Sequence, residues 1–264
     1  MRHNNFVIVL ATLKFMNMTV NIRFQLQIAA AFIIIFYSTH DYVAAQDTVL
    51  NKHGLWVINS TKLFNATTKS NPNKQMVDIQ KFIPGLILDL RYATTNNFMH
   101  KKLYPDITKT YLRLPAAQAL QRIDSDLKDM GFGIKIFDAY RPYSVTEKMW
   151  EPIKDERYVA DPKKGSGHNR GIAVDLTIIN LKTNKELPMG TGYDNFTDTA
   201  HQTFTALPKE ILVNRNILKS LMEKHGFIAL ESEWWHYFLP NASAYELLDI
   251  PFKKLKNITR SQRL

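Results

Sequence analysis

Asp175 constrains this chain more than any other residue. It stands inside Ile172-Ala173-Val174-Asp175-Leu176-Thr177-Ile178-Ile179, a β-prone run that follows the glycine-rich stretch Gly165-Ser166-Gly167-His168-Asn169-Arg170-Gly171. Side chains alternate along a strand, so Val174 and Leu176 face a core while Asp175 faces the other way. A carboxylate among such apolar neighbours needs a partner, and a cation is the strongest one available. Gly171 permits a tight turn that lets His168 face the same cavity. The competing reading is an aspartate that caps the turn while His168 stays in solvent.

Further along, Glu233-Trp234-Trp235-His236 offers a second half. Positions three apart in a regular strand face opposite sides, so Glu233 is expected at an irregular lead-in if both residues are to reach one site. Trp234 and Trp235 supply bulk that fixes such a geometry. The competing reading is two core tryptophans around a buried, hydrogen-bonded histidine. Taken together the two segments provide His168, Asp175 and His236 as ligands and leave one position open, the pattern of catalytic rather than structural zinc. Glu233 is then the carboxylate that takes the proton of a metal-activated water. Asp138-Ala139-Tyr140-Arg141-Pro142 ends a predicted strand, and Arg141 can offset charge developing on a carbonyl oxygen. Its competing reading is an arginine on the surface or paired with an aspartate at the turn.

Composition narrows the chemistry. At 264 residues, 45% hydrophobic and 22% charged, the chain is a globular protein of one large or two small domains. It has no cysteine, so disulfides, thiolate metal sites and cysteine nucleophiles are excluded, and a metal must be held by His, Asp or Glu. The formal charge is +10, with Lys253, Lys254, Lys256, Arg260 and Arg263 crowding the end. No RNA-binding aromatic signature or Cys/His finger accompanies them, so no nucleic-acid partner is expected and 253–264 reads as a solvated basic tail. Attraction to an anionic envelope or membrane surface is equally compatible with the charge.

Residues 1–45 read as a secretory signal. Arg23 precedes the apolar run Ile28-Ala29-Ala30-Ala31-Phe32-Ile33-Ile34-Ile35-Phe36, and Val43-Ala44-Ala45 supplies small residues for cleavage after Ala45. The run is short for a bilayer span. An uncleaved signal-anchor is the alternative, and would be the chain's one attachment to a membrane.

Periodicity sets the rest. Strands are expected at 86–92, 133–140, 171–179, 227–230 and 235–239, and a helix at 144–150. Pro115 to Met130 has apolar residues at Ala116, Ala119, Leu120, Ile123 and Leu127, a helical spacing closed by Gly131. Pro208 to His225 repeats the pattern with Ile211, Leu212, Ile217, Leu218, Leu221 and Met222 before Gly226. This mixture without regular βαβ alternation predicts an α+β domain: a central, mainly antiparallel sheet packed against helices, with the metal site at the sheet.

Several blocks, in order, resemble the D-alanyl-D-alanine dipeptidases, the VanX-type branch of the zinc D,D-peptidases within the hedgehog/D,D-peptidase superfamily. They are DLRYATTNNF (89–98), DAYRP (138–142), GSGHNRGIAVDLT (165–177), PMGTGYDNF (188–196) and EWWHY (233–237). The resemblance implies one zinc ion held by His168, Asp175 and His236, with Glu233 as catalytic base and Arg141 stabilising the tetrahedral intermediate. It places Tyr92, Ser166 and Asp194 in the substrate pocket, Asp194 receiving the amino terminus of a dipeptide. The implied reaction is hydrolysis of D-Ala-D-Ala to two D-alanines, and with an export signal the expected setting is the bacterial periplasm or cell envelope. The implied layout is an N-terminal extension at 46–80, a catalytic domain at 81–252 and the basic tail. Two alternatives remain: a D,D- or L,D-carboxypeptidase acting on peptidoglycan stem peptides, and a noncatalytic zinc-containing envelope-binding module.

Overall fold

The alternation that isolates Asp175 generates the central sheet. The computed structural model describes residues 50–261, so the signal expected at 1–45 lies outside the described residues. In chain order the first half forms β1 (Val57–Ile58), α1 (Thr61–Ser70), β2 (Met76–Asp78), α2 (Ile79–Phe82), β3 (Ile87–Leu88), β4 (Tyr111–Arg113), α3 (Leu114–Asp129), β5 (Phe132–Asp138) and α4 (Tyr143–Ile153). The second half forms α5 (Gly167–Arg170), β6 (Ala173–Asn180), α6 (Lys209–Lys224), β7 (Ile228–Ala229), β8 (His236–Phe238), β9 (Leu247–Leu248) and α7 (Phe252–Ser261).

Five strands make the main sheet in the order β3-β5-β6-β8-β7. Only β3 and β5 run parallel; β5–β6, β6–β8 and β7–β8 are antiparallel. The protein is therefore α+β with a mainly antiparallel sheet, as the periodicity predicts. Val174, Leu176 and Ile178 of β6 join Ala116, Leu120, Ile123 and Leu127 of α3 and Leu218 and Met222 of α6 in one apolar layer. The opposite face carries Asp175. Strand β6 is buried from Ala173 to Ile179, covered on both sides.

The register of β5 holds the detail that matters most for function. It pairs regularly with β6 down to Ile136↔Leu176 and then slips by one residue, so that Asp138 rather than Phe137 stands opposite Asp175. One extra residue in a strand is a β-bulge, a device that re-aims side chains beside functional sites.

Three expectations change on folding. The strand expected over 86–92 stops at Leu88 and gives way to a 3-10 turn over Arg91–Ala93. There the Tyr92 carbonyl accepts the amides of Leu103 and Tyr104, at 2.9 Å each, and the chain leaves the ladder. The broad apolar face read on α6 is only half right, because its buried set is Asn214, Arg215, Leu218 and Met222. Finally, the described parts of the ends read as an extension and a tail, 50–80 and 253–261, belong to the same packed unit as the sheet. Phe64, Met76 and Ile79 are fully buried. The basic run forms α7, whose Phe252, Leu255 and Ile258 recur at helical spacing and turn inward while Lys253 and Lys254 face solvent. The Phe252 ring lies 5.0 Å from that of Tyr104 and 5.5 Å from that of Tyr140. Charge at alternate helical positions masked that apolar stripe. Among the described residues no helix is long and apolar enough to cross a membrane.

Replacing Leu255, which has no exposed surface, by alanine is expected to cost about 2–5 kcal/mol. The check is a lowered urea midpoint at unchanged slope. Lys253→Ala is expected to stay within about 0.5 kcal/mol of the parent.

Candidate metal centre and its pocket

Asp175 and His236 face each other directly across the β6–β8 ladder. His236 Nδ1 lies 2.8 Å from Asp175 Oδ1. His168 arrives from α5, a single turn whose geometry is closed at both ends. Ser166 Oγ accepts the His168 amide at 3.0 Å while Asn169 Oδ1 accepts the Ser166 amide at 3.0 Å, a reciprocal capping box. Gly171 ends the turn at φ +71°, and a Cβ there would lie 2.7 Å from Met76 Sδ, so only glycine fits. His168 Nδ1 donates to the Ala139 carbonyl at 2.7 Å, which fixes the ring with Nε2 aimed at the other two residues. That nitrogen is 3.4 Å from Asp175 Oδ1 and 3.2 Å from His236 Nδ1.

These three atoms meet the requirements of a cation site. A tetrahedral ion with bonds of about 2.0–2.1 Å spaces its ligand atoms about 3.3 Å apart, close to the 2.8, 3.2 and 3.4 Å found here. Both imidazoles and the carboxylate are buried or nearly so. Burial opposes ionisation of Asp175, but the two imidazoles outweigh it and hold its carboxyl well below the ordinary range. The backbone carbonyl behind His168 is the outer partner that fixes ring orientation in metal-ligating histidines.

Glu233 sits in the turn before β8, the irregular lead-in that the spacing requires, with its carboxylate 3.9 Å from His236 Nδ1. Burial pushes that carboxyl up to about 7, helped by Asp175 and opposed by His236 and Arg141. Trp234 and Trp235 pack edge-to-face at 5.5 Å and are both buried, supplying the expected bulk.

Arg141 is the aspartate-paired arginine of the competing reading, and it also lines the pocket. Its Nε and Nη2 donate to Asp138 Oδ2 at 3.0 and 2.9 Å, and the guanidinium also lies 5.0 Å above the Tyr92 ring in the pocket wall. Burial disfavours its charge, but Asp138 outweighs that and keeps it protonated. Asp138 also accepts the Tyr104 hydroxyl at 2.8 Å. Asn169 ties this turn to α5 by donating to the Arg141 carbonyl at 3.0 Å.

In the same cavity, Asp194 accepts the Tyr92 hydroxyl at 3.0 Å and the Phe98 amide at 3.4 Å. Burial raises its carboxyl to about 8, with Asp175 adding to the effect. All eight residues nominated from sequence, Tyr92, Arg141, Ser166, His168, Asp175, Asp194, Glu233 and His236, line one cavity of about 350 Å³. Sequence reasoning missed Asp138, which stands in the same motif three residues before Arg141. It also missed Tyr193, whose hydroxyl donates to Asp175 Oδ2 at 2.9 Å, and Arg215. From the buried side of α6, Arg215 donates to the carbonyls of Met189, Thr199 and His201 and pins the loop that carries Tyr193 and Asp194. A polar residue on a helix gives no sequence signal that it will bind a distant loop.

An imidazole and a carboxylate on one sheet face, a second imidazole brought to them by α5, and a half-buried glutamate beside them in a small cavity are the construction of a peptidase site. The chain belongs to the D-ala-D-ala dipeptidase family, peptidase family M15, which matches residues 72–256. It is 35% identical over 174 residues to the D-alanyl-D-alanine dipeptidase of Escherichia coli (strain K12), a match covering 66% of this chain and 89% of that protein. A D-alanyl-D-alanine dipeptidase of Streptomyces coelicolor is 30% identical over 183 residues, 61% of this chain and 89% of the relative. Another, from Enterococcus faecium, is 28% identical over 200 residues, 66% and 96% of the two chains.

Arg141→Met removes the cation from a fully buried Asp138, and the expected loss of folding stability is about 3–5 kcal/mol. Denaturant titration checks this, and a loss under about 1 kcal/mol would mean that Tyr104 alone satisfies Asp138.

Proposed function

We propose that this protein is a zinc-dependent dipeptidase that hydrolyses D-alanyl-D-alanine to two D-alanines. The reading is carried by the convergence of His168, Asp175 and His236 with Glu233 in a cavity that Asp194 also lines. Family membership and the names of the relatives support the substrate.

His168 Nε2, Asp175 Oδ1 and His236 Nδ1 would hold the ion. Bound there, zinc supplies a water of lowered pKa and a polarised peptide carbonyl. Glu233 takes the proton from the attacking water and delivers it to the leaving amine. Arg141, fixed by Asp138, opposes the negative charge that builds on the carbonyl oxygen. Asp194 receives the substrate ammonium: its carboxylate lines the pocket, and Tyr92 and the Phe98 amide orient it. Ser166 Oγ accepts the His168 amide and keeps its own proton to donate to a substrate oxygen. At about 350 Å³ the cavity lies at the small end of ligand sites, in keeping with a dipeptide.

Export to a bacterial periplasm or envelope is part of the same proposal, supported by the apolar run 28–36 and Val43-Ala44-Ala45. In that compartment the reaction recovers D-alanine released by wall turnover.

Purified protein is expected to cleave D-Ala-D-Ala, to lose activity on chelation and to regain it with zinc; full activity after metal removal would sink the metalloenzyme reading. A pentapeptide stem in the same assay separates the dipeptidase from a carboxypeptidase, which would prefer the longer substrate. Glu233→Ala is expected to reduce turnover by at least about a hundred- to ten-thousand-fold with zinc still bound, whereas a noncatalytic module shows no turnover to lose. Fractionation of expressing cells should place the mature chain, beginning at Gln46, outside the cytoplasm; recovery of uncleaved soluble protein from the cytoplasm would refute export.

A further inference from the structure

We propose that Tyr193 is a positioning residue that makes Asp175 a one-oxygen ligand and so keeps a coordination position open for water and substrate. The inference rests on the reading of His168, Asp175 and His236 as a metal centre.

The two oxygens of Asp175 have different partners. Oδ1 faces the imidazoles, 2.8 Å from His236 Nδ1 and 3.4 Å from His168 Nε2. Oδ2 accepts the Tyr193 hydroxyl at 2.9 Å. For both oxygens to reach one cation the carboxylate must turn and abandon that hydrogen bond. Asp175 is only 2% exposed, so little water is at hand to replace the lost partner.

Tyr193 cannot follow a rotating carboxylate. Its ring lies 4.8 Å from Phe137 at 30°, 5.6 Å from Trp235 at 69° and 6.0 Å from Tyr92. Its loop is held by Arg215 through the carbonyls of Met189 and Thr199, at 2.7 and 2.8 Å, and by Trp234 Nε1 donating to Thr191 Oγ1 at 2.8 Å. Asp194 follows in the left-handed region at φ +60°, a conformation unusual for a residue with a Cβ. That twist sends consecutive side chains to different tasks: Tyr193 to the ligand and Asp194 to Tyr92 on the pocket wall.

Tyr193→Phe preserves the ring and removes the donor. Parent protein and variant are titrated with Co(II) alone, and affinity is measured by chelator competition. The parent is expected to show the strong visible absorption of a low-coordinate ion. The variant is expected to show weaker bands, as Asp175 contributes its second oxygen, and about 10- to 100-fold weaker binding. A folded variant with parental spectrum and affinity overturns the proposal. Failure of the parent to bind Co(II) overturns the metal-centre reading itself, a distinct result. Should the variant not fold, a crystal structure of the zinc-loaded parent decides: Asp175 bound through both oxygens overturns the inference, and Oδ1 alone with Tyr193 on Oδ2 supports it.

Discussion

Asp175 and His236 stand directly opposite each other on antiparallel neighbours, and the pocket is arranged around that pair. Cross-strand partners on one face are held about 4.5–5.5 Å apart at Cβ by the ladder itself, so their approach needs no loop to close. The slip in β5 extends the row by one strand and sets Asp138 beside Asp175. Asp138 in turn fixes Arg141 through two nitrogens. Three strands thus place an arginine anchor, a carboxylate and an imidazole in line, and only His168 has to be brought in from outside the sheet.

Bringing it in is the task of the glycine-rich segment. Donation from Nδ1 to the Ala139 carbonyl and from the Arg141 amide to the His168 carbonyl ties α5 to the turn that presents Arg141. Behind it, the fully buried Arg113 donates through Nε to the Arg170 carbonyl at 2.9 Å, while its own amide binds the Gly171 carbonyl at 2.8 Å. A planar guanidinium with several donors suits this convergence of carbonyls better than an ammonium. The residues before 81 take part as well, since Arg113 also reaches the Lys74 carbonyl and its guanidinium lies 5.6 Å above the Phe64 ring.

Much of the site was legible because its chemistry sits in short blocks with strong local signals. An aspartate inside an apolar strand and a glutamate three residues before a histidine each imply a geometry, and the fold supplies both. The two long helices and the central strands followed from periodicity in the same way. What could not be read was set by contacts distant in sequence. Tyr193 and Arg215 act through partners that alternation and helical spacing do not report, and the β5 bulge leaves Phe137-Asp138 looking like any strand end. The apolar stripe of α7 was hidden by lysines placed between its members, so a buried helix passed for a solvated tail.

Charge explains why such a pocket needs occupants. Asp175, Asp194 and Glu233 line one small cavity, with Asp138 buried behind Arg141, in a chain whose net charge is +10. Asp138 is matched by Arg141 and Asp175 by the imidazoles, Glu233 stands 3.9 Å from His236 Nδ1, Asp194 meets the Tyr92 hydroxyl and the Phe98 amide, and burial raises the last two carboxyls, to about 7 and about 8. A buried carboxylate without a countercharge either binds a proton or recruits a cation. Glu233 lies 3.9 Å from His236 Nδ1, so a cation held by the ligand atoms would favour its ionised form. Asp194 lines the same cavity, where an ammonium group would act on its carboxyl in the same way. The two acids therefore make the pocket suited to a cation beside the ligand atoms and to a positively charged group beside Asp194, because either would offset the cost of a carboxylate held away from water.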